Sequence, residues 1–185
     1  MSLDDERVRF YFRNREQIEQ WAALRSEAAA AVDEWMVQLE PDVALLAHEL
    51  GTDVTLSAYV GSDQAYPSYR LTRPGWRATG VEERPACVAL EWPRARTILR
   101  GSNTPYVGVR ASKDLAIGTA LRASEEVRRV RLARKDASNQ WWVAYTYVAP
   151  KGEFPTASDA YRGDLIAALR AAWEAYAPLF PLATA

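Results

Sequence analysis

The stretch from Trp141 to Pro150, WWVAYTYVAP, carries no charge and is rich in residues that favour extended backbone. Valine, threonine and aromatic residues prefer strands because their branched or flat side chains pack well across a pleated surface. Alternation divides the stretch into two largely apolar faces. One face carries Trp141, Val143, Tyr145 and Tyr147, and the other carries Trp142, Ala144, Thr146 and Val148. A strand that is apolar on both faces is typical of the middle of a sheet, so we predict a central strand here.

Upstream of this strand, apolar residues recur at helical spacing between residues 14 and 50. Steps of three and four predict a buried helical stripe. Its members are Ile18, Trp21, Arg25, Ala28, Val32, Trp35 and Leu39, with Leu24 and Met36 beside them. Pro41 suits the first turn of a second helix, and Gly51 is placed to end it. We therefore predict a helical hairpin over residues 14–50, with His48 as an ordinary surface residue.

The first residues show a different pattern. Arg7 to Arg13, RVRFYFR, alternates arginine with apolar residues, which favours a short strand or a packed arm. Asn14 followed by Gln17 resembles a capping box, in which each side chain satisfies an orphan amide at a helix start. We expect the apolar side chains of this segment to fix the N-terminal residues on the core.

Between residues 53 and 149 the spacing becomes that of strands. Segments near 54–60, 68–72, 86–92, 96–100 and 106–111 alternate or are wholly apolar, and short turns separate them. For residues 112–135 both a helix and a strand fit. We favour a strand from Glu125 to Lys135, because the turn-forming run from Asp136 to Asn139 leads directly into the Trp141 strand. About six strands joined in this way predict a mostly antiparallel sheet.

A long helix is predicted at the other end of the chain, over residues 157–177. Thr156 or Ser158 is placed to cap it and Pro178 to end it. One side carries Tyr161, Leu165, Leu169, Trp173 and Tyr176. Helices, then strands, then a helix that packs on the sheet predict a single α+β domain over residues 1–185.

Composition excludes several classes of protein. The 185 residues have a net charge of -1, so no global field attracts nucleic acid or an anionic membrane. Cys87 is the single cysteine, which excludes an internal disulfide and a zinc site made of several thiolates. No secretory signal or membrane-spanning apolar run is present, so we expect a cytoplasmic protein with no membrane partner. Three of the 23 basic residues are lysine and the rest are arginine, a bias that suggests a bacterial or phage source.

Catalytic signatures are missing from the sequence. The nine glycines are scattered and form no phosphate-binding loop. His48 is the only histidine, and no nucleophile motif accompanies it. Nucleases of the restriction-enzyme type need an acid two residues before a lysine, whereas alanine precedes each of Lys113, Lys135 and Lys151 at that spacing. We expect no cofactor and lean towards a protein that is not an enzyme.

An oxygen-only metal site is the alternative that these exclusions leave open. Two or three carboxylates from separate strands suffice to bind magnesium. Glu82, Glu83 and Glu91 lie in or near the third strand and are the candidate ligands. A surface or salt-bridged role is the more common one for such carboxylates.

Two surfaces are candidates for binding. The segment from Arg122 to Lys135 has six cations in fourteen residues, and arginine forks match phosphate or carboxylate groups. The candidate arginines are Arg128, Arg129, Arg131 and Arg134. The simpler interpretation is a solvated edge strand whose charges resist aggregation.

The second candidate surface is aromatic. Trp76, Trp92, Tyr106, Trp141 and Trp142 lie on or beside predicted strands, where they could stack on bases or a peptide. We select Trp92, Tyr106 and Trp142 as binding candidates, although tryptophans at strand spacing usually lie in a core.

These observations favour a non-enzymatic binding or regulatory domain of bacterial or phage origin. It would contact a protein or nucleic-acid partner through a sheet face or through the arginine-rich strand. The first alternative is an atypical or inactive metal-dependent nuclease. The second alternative is a structural subunit of a homo-oligomer, in which the apolar strand forms the interface.

Overall fold

The computed structural model describes residues 5–76, 86–94, 96 and 103–180. Its helices are α1 (Glu6–Arg13), α2 (Arg15–Val37), α3 (Glu40–Leu50), α4 (Ala116–Ala123), α5 (Glu125–Arg134) and α6 (Ser158–Tyr176). Its strands are β1 (Thr55–Tyr59), β2 (Ser68–Thr72), β3 (Cys87–Glu91), β4 (Tyr106–Arg110) and β5 (Trp142–Tyr147). A short 3₁₀ turn, Ala177–Leu179, follows α6.

The architecture is α+β, as the sequence predicts. The five strands form one antiparallel sheet in the order β1-β2-β3-β4-β5, so each strand pairs with its neighbour in sequence. The helical hairpin and the long C-terminal helix pack on the sheet and share one core with it. The sixth strand that we expected at residues 96–100 lies, apart from Arg96, outside the described residues.

The strand that contains Trp142 is not central, which corrects the prediction. β5 is the last strand of the sheet, and the middle position belongs to β3, in which every residue is buried. Apolar side chains on both faces of a strand indicate that other layers pack above and below it. They do not indicate its place in the order of the sheet, which depends on the strands that pair with its backbone. A bridge in which Ala137 and Tyr145 exchange two hydrogen bonds of 2.8 Å covers part of the outer edge of β5.

A bulge in the sheet also breaks the alternation predicted for this strand. The register between β4 and β5 shifts between Val109 and Arg110. Val143 and Ala144 consequently both belong to the cluster beneath the helices, whereas Trp142 and Tyr145 pack together on the opposite face. Trp141 precedes the strand and is half exposed.

The arginine-rich segment is a helix, and the strand that we predicted for it is wrong. Ser124 caps α5, since its hydroxyl accepts a hydrogen bond of 3.3 Å from the backbone amide of Val127. Glu125 lies in the first turn and Arg134 in the last, where each complements the helix dipole. Lys135 ends the helix in the left-handed conformation at a φ of 59°. These signals at the two ends of the helix outweigh the turn-forming run from Asp136 to Asn139, on which the strand prediction was based.

The N-terminal residues are helical and do not form the strand or packed arm that we expected. Asp5 caps α1 by accepting a hydrogen bond of 2.9 Å from the amide of Arg7. Asn14 ends that helix through a 2.9 Å bond from its side-chain amide to the carbonyl of Phe10, and it caps no following helix. α1 has no buried residue. We call α1 and residues 15–28 the helical arm, since burial in α2 begins at Ala29.

The remaining helices follow the predictions closely. In α3, Val43 and Leu46 are buried and His48 is exposed. The predicted stripe of α6 is buried at all five positions, although Ala157 precedes the helix and provides no side-chain cap. Among the described residues, no helix is both long enough and apolar enough to cross a membrane.

Candidate functional site

Strand alternation gives the sheet two faces of different chemistry. On one face Leu71, Leu90 and Val107 pack beneath the helices. The other face carries a polar and charged group that we call the arginine face. Its members are Arg70 on β2, Cys87 and Glu91 on β3, and Tyr106 and Arg110 on β4. In the register of β3 on β4, Glu91 lies opposite Tyr106 and Cys87 lies opposite Arg110. The two side chains of each pair are therefore direct neighbours on this face.

Small residues occupy the centre of the arginine face. The register aligns Arg70 with Ala89, and Ala89 with Gly108. Gly108 cannot carry a side chain, because an added Cβ would lie 2.0 Å from the carbonyl oxygen of Ala144 on the neighbouring strand. Ala89 and Gly108 therefore form a shallow floor, and the larger side chains of the arginine face surround it.

Glu91 and Arg110 form a buried ion pair on this floor. Nε of Arg110 lies 3.4 Å from Oε2 of Glu91, and the Tyr106 hydroxyl donates a hydrogen bond to Oε1. Burial, reinforced by the nearby carboxylate, raises the pKa of Tyr106, so the phenol stays neutral and acts as the donor. Glu91 is only 5% exposed, which strengthens its electrostatic attraction to the guanidinium.

Arg70 provides a second buried cation. It is 4% exposed, its Nε donates to the hydroxyl of Ser68 at 3.0 Å, and its guanidinium lies 3.8 Å from the ring centroid of Tyr59. Burial lowers the pKa of this guanidinium, and the charge of Arg110 acts in the same direction. Among the described residues, its Nη1 has no hydrogen-bond partner. Arginine nevertheless stays charged in proteins, so a buried donor is left for an anion.

Cys87 lies beside both arginines but is not activated by them. Burial raises the pKa of the thiol to about 11, although each neighbouring arginine acts to lower it. The reactive form of cysteine is the thiolate. A fully buried thiol with this pKa is therefore a structural residue rather than a nucleophile.

A groove opens onto the arginine face. Its larger chamber has a volume of about 480 Å³ and is lined by Arg70, Glu91, Arg110 and Trp141, among others. A second chamber of about 240 Å³ adjoins it. Tyr66, Tyr106, Asn139 and Trp142 line both chambers, which makes them one continuous groove. The larger chamber falls within the usual range for ligand sites, roughly 300 to 1,000 Å³.

The structure brings three of the sequence-predicted residues to this groove. Tyr106 and Trp142 line it as binding candidates, and Glu91 lines it as an ion-paired carboxylate. Trp92 is instead buried, where its indole N–H donates a hydrogen bond of 2.7 Å to Asp33.

Of the three candidate metal ligands, only Glu91 lies among the described residues, and its carboxylate pairs with Arg110. Glu82 and Glu83 lie outside the described residues. Within the described part of the chain, no group of three or more histidine, cysteine, aspartate or glutamate residues could hold a metal ion.

The four candidate arginines lie on α5 rather than at the groove. Arg128 pairs with Glu125 at 2.6 Å, and Arg129 is exposed. Arg131 donates to the hydroxyl of Ser138.

Arg134 has a structural role in the same helix. It pairs with Asp136 at 3.0 Å, and Tyr176 on α6 donates a hydrogen bond of 2.8 Å to the same carboxylate oxygen. This arginine therefore connects α5 to the C-terminal helix.

Sequence reasoning missed Arg70 and Arg110. The available signal was an arginine placed among apolar residues in each of two short strands, SYRLT and YVGVR. An arginine inside a short apolar strand either faces solvent or belongs to a buried polar site. The sequence does not distinguish these two possibilities, because the answer depends on which strands pair with it.

No protein-family model matches the chain, and neither the comparison with curated proteins nor that with solved structures finds a match. The function is therefore inferred from the geometry of the groove.

Proposed function

We propose that this chain is a non-enzymatic binding domain whose arginine face holds an acidic group of a macromolecular partner. The observation that carries the proposal is Arg70, a buried cation whose Nη1 lacks a hydrogen-bond partner among the described residues. A buried donor without a partner costs about 1 to 3 kcal/mol, and more when it is charged. A bound anion would remove that cost.

The charges at the floor of the groove support this choice. Two guanidinium groups, those of Arg70 and Arg110, line the larger chamber together with one described carboxylate, that of Glu91. Arg110 is already paired with that carboxylate, so the excess positive charge belongs to Arg70. Carboxylate and phosphate oxygens both match the planar donors of arginine.

The arginine-rich helix is the weaker candidate surface. Arg128, Arg131 and Arg134 already contact side chains of this chain, so α5 offers few uncommitted cations. A bacterial source, a cytoplasmic location and a regulatory role belong to the same proposal and rest on composition alone.

The proposal is tested by calorimetric titration with inorganic pyrophosphate as the probe. Saturable binding is expected for the unchanged protein, and Arg70→Gln should weaken it about tenfold or more, since it removes a charge-assisted hydrogen bond. Arg129→Gln is the matched control, because it removes an exposed arginine on α5, and it should leave binding unchanged. Absence of binding, or an equal loss in both variants, would overturn the proposal.

Self-association is a second candidate function, favoured by the exposed side chains of the helical arm. Phe10, Phe12, Trp21 and Leu24 are each at least 60% exposed. Apolar residues concentrated in one exposed region often mark a protein interface. In this alternative a second copy covers the arm, rather than the β5 strand that the sequence suggested.

Light scattering over a wide concentration range tests the alternative. A dimer mass that reverts to the monomer in Trp21→Ser would support it. A monomer at every concentration would exclude it.

A further inference from the structure

The rim of the groove is aromatic as well as exposed. Tyr66 is 45% exposed, Trp141 is 49% exposed and Tyr147 is 45% exposed, and all three line the groove. Exposed rings that are grouped around one groove, rather than scattered singly, mark a candidate binding surface. The rim therefore requires an explanation beyond the buried cation at the floor.

Neighbouring groups hold the two tyrosine rings in place. The hydroxyl of Tyr66 accepts a hydrogen bond of 2.7 Å from Arg96, whose guanidinium lies 5.7 Å from the ring centroid. Tyr147 packs edge-on against Tyr106, with centroids 5.8 Å apart. These two rings lose little freedom when a flat group stacks on them. The backbone of Trp141 is fixed by a hydrogen bond of 2.8 Å from its amide to Oδ1 of Asn139.

Both chambers of the groove combine arginine side chains with an exposed aromatic ring. The larger chamber contains the buried guanidinium group of Arg70 and the partly buried one of Arg110, together with Trp141. The smaller chamber contains Arg96 and Tyr147. A ligand that follows the groove therefore meets cations in both chambers and a half-exposed ring beside each.

We propose that the groove binds a short single-stranded nucleic acid, with a phosphate over Arg70 and Arg110 and bases stacked on Tyr66, Trp141 and Tyr147. This inference rests on the proposed function and names its partner. Positive grooves with exposed aromatic rings suit single strands, because every base has a flat face and every nucleotide has a phosphate. Amide side chains such as Asn139 lie in the same groove and offer hydrogen bonds to base edges.

Other partners fit these features less well. An acidic peptide would use the arginines but would leave the three exposed rings without a role. A duplex presents its phosphates on a stiff outer backbone, whereas Arg70 is recessed and only 4% exposed. A single strand is flexible enough to lower one phosphate to the floor while its bases remain at the rim.

The test compares four probes by quenching of tryptophan fluorescence. The first is a single-stranded oligodeoxythymidylate of six nucleotides, and the second is an abasic strand of the same length. A hexa-aspartate peptide and a GC-rich hairpin whose stem stays double-stranded complete the set. The thymidylate should bind at least tenfold more tightly than each of the others. Its affinity should fall with salt at a logarithmic slope of about -1.4, as expected when two phosphates of a single strand are neutralised, one over Arg70 and Arg110 and one beside Arg96.

Two variants locate the contact. Trp141→Ala should weaken thymidylate binding about 5- to 100-fold, the range expected for loss of one stacked base. Leu132→Ala is the control, because Leu132 is also exposed but lies on α5, outside both the groove and the helical arm. It should leave the affinity unchanged. Both substituted side chains are exposed, and circular dichroism would verify that each variant is folded.

The outcomes separate this inference from the proposed function. If the abasic strand or the peptide binds as tightly as the thymidylate and Arg70→Gln weakens both, the partner is wrong but the anion site stands. Equal binding of the hairpin, or no effect of Trp141→Ala, likewise overturns the nucleic-acid assignment. If no probe binds, both proposals fail.

Discussion

Replacing Arg70 with methionine should stabilise the protein while it abolishes anion binding. The side chain is 4% exposed, and its Nη1 has no partner among the described residues. Methionine has a similar length and fills the space without a charge. The variant therefore removes a desolvated cation and retains most of the packing.

The size of the effect follows from the contacts of Arg70. Removing the charge relieves a desolvation penalty of several kcal/mol. Against this, the variant loses the hydrogen bond to Ser68, worth about 1 kcal/mol, and the contact with the Tyr59 ring, worth about 1 kcal/mol. We expect the free energy of unfolding to rise by about 1 to 2 kcal/mol.

Arg110→Met should have the opposite effect on stability. This substitution removes the described cation that pairs with the buried Glu91 carboxylate. Breaking one side of a buried ion pair costs about 3 to 5 kcal/mol. The bond from Tyr106 persists and Arg70 remains nearby, so we expect a loss of about 2 to 3 kcal/mol. Two similar substitutions on the same face thus differ in sign.

Urea denaturation at neutral pH measures both variants, with the free energy of unfolding obtained by linear extrapolation. The dependence of the free energy of unfolding on urea concentration should be the same in the variants as in the unchanged protein. Equal slopes would show that the substitutions do not alter the surface exposed on unfolding. A loss of more than about 1 kcal/mol in Arg70→Met would refute the reasoning, because it would mean that the Arg70 charge is satisfied within the fold.

Other substitutions test separate parts of the structure. Gly108→Ala should destabilise the protein by roughly 2 kcal/mol or more in urea denaturation, because its Cβ would meet the Ala144 carbonyl at 2.0 Å. Gly163→Ala, in α6 with no atom within 4 Å of the added Cβ, should instead stabilise by about 1 kcal/mol; a loss there would contradict the helix assignment. Burial raises the pKa of Cys87 to about 11, so the unfolded chain releases this proton first, and this thiol alone should lower the stability by about 1 kcal/mol between pH 8 and pH 10. Cys87→Ala should lessen that fall, and an identical pH profile would refute the assignment. Arg129→Ala should change the free energy of unfolding by less than about 0.5 kcal/mol, and a larger change would show an unrecognised contact.

The fold class and the buried stripe of α6 could be predicted because both depend on local periodicity. Tyr161, Leu165 and Leu169 recur at helical spacing, and that spacing requires one apolar side. The helical hairpin was predictable for the same reason. The exposure of its arm was not predictable, since Trp21 and Leu24 have the right spacing but no element in the described part of the chain covers them.

The site depends on non-local information. Arg70 and Glu91 are distant in sequence, and the register of β2 on β3 brings them to one face. The bulge between Val109 and Arg110 shifts the neighbouring strand, so that Trp142 faces the same groove. Composition and alternation cannot locate a register shift. The sequence therefore predicted Tyr106 and Trp142 as aromatic binding candidates, but it did not predict that Arg70 and Arg110 line the same groove.

The most direct test of an anion site on the arginine face is NMR of the arginine Nε–Hε groups during titration with inorganic phosphate. The signals of Arg70 and Arg110 should shift together and saturate, while the exposed Arg129 on α5 should show only a small, linear response. Shifts of Arg70 no larger than those of Arg129 would contradict the account.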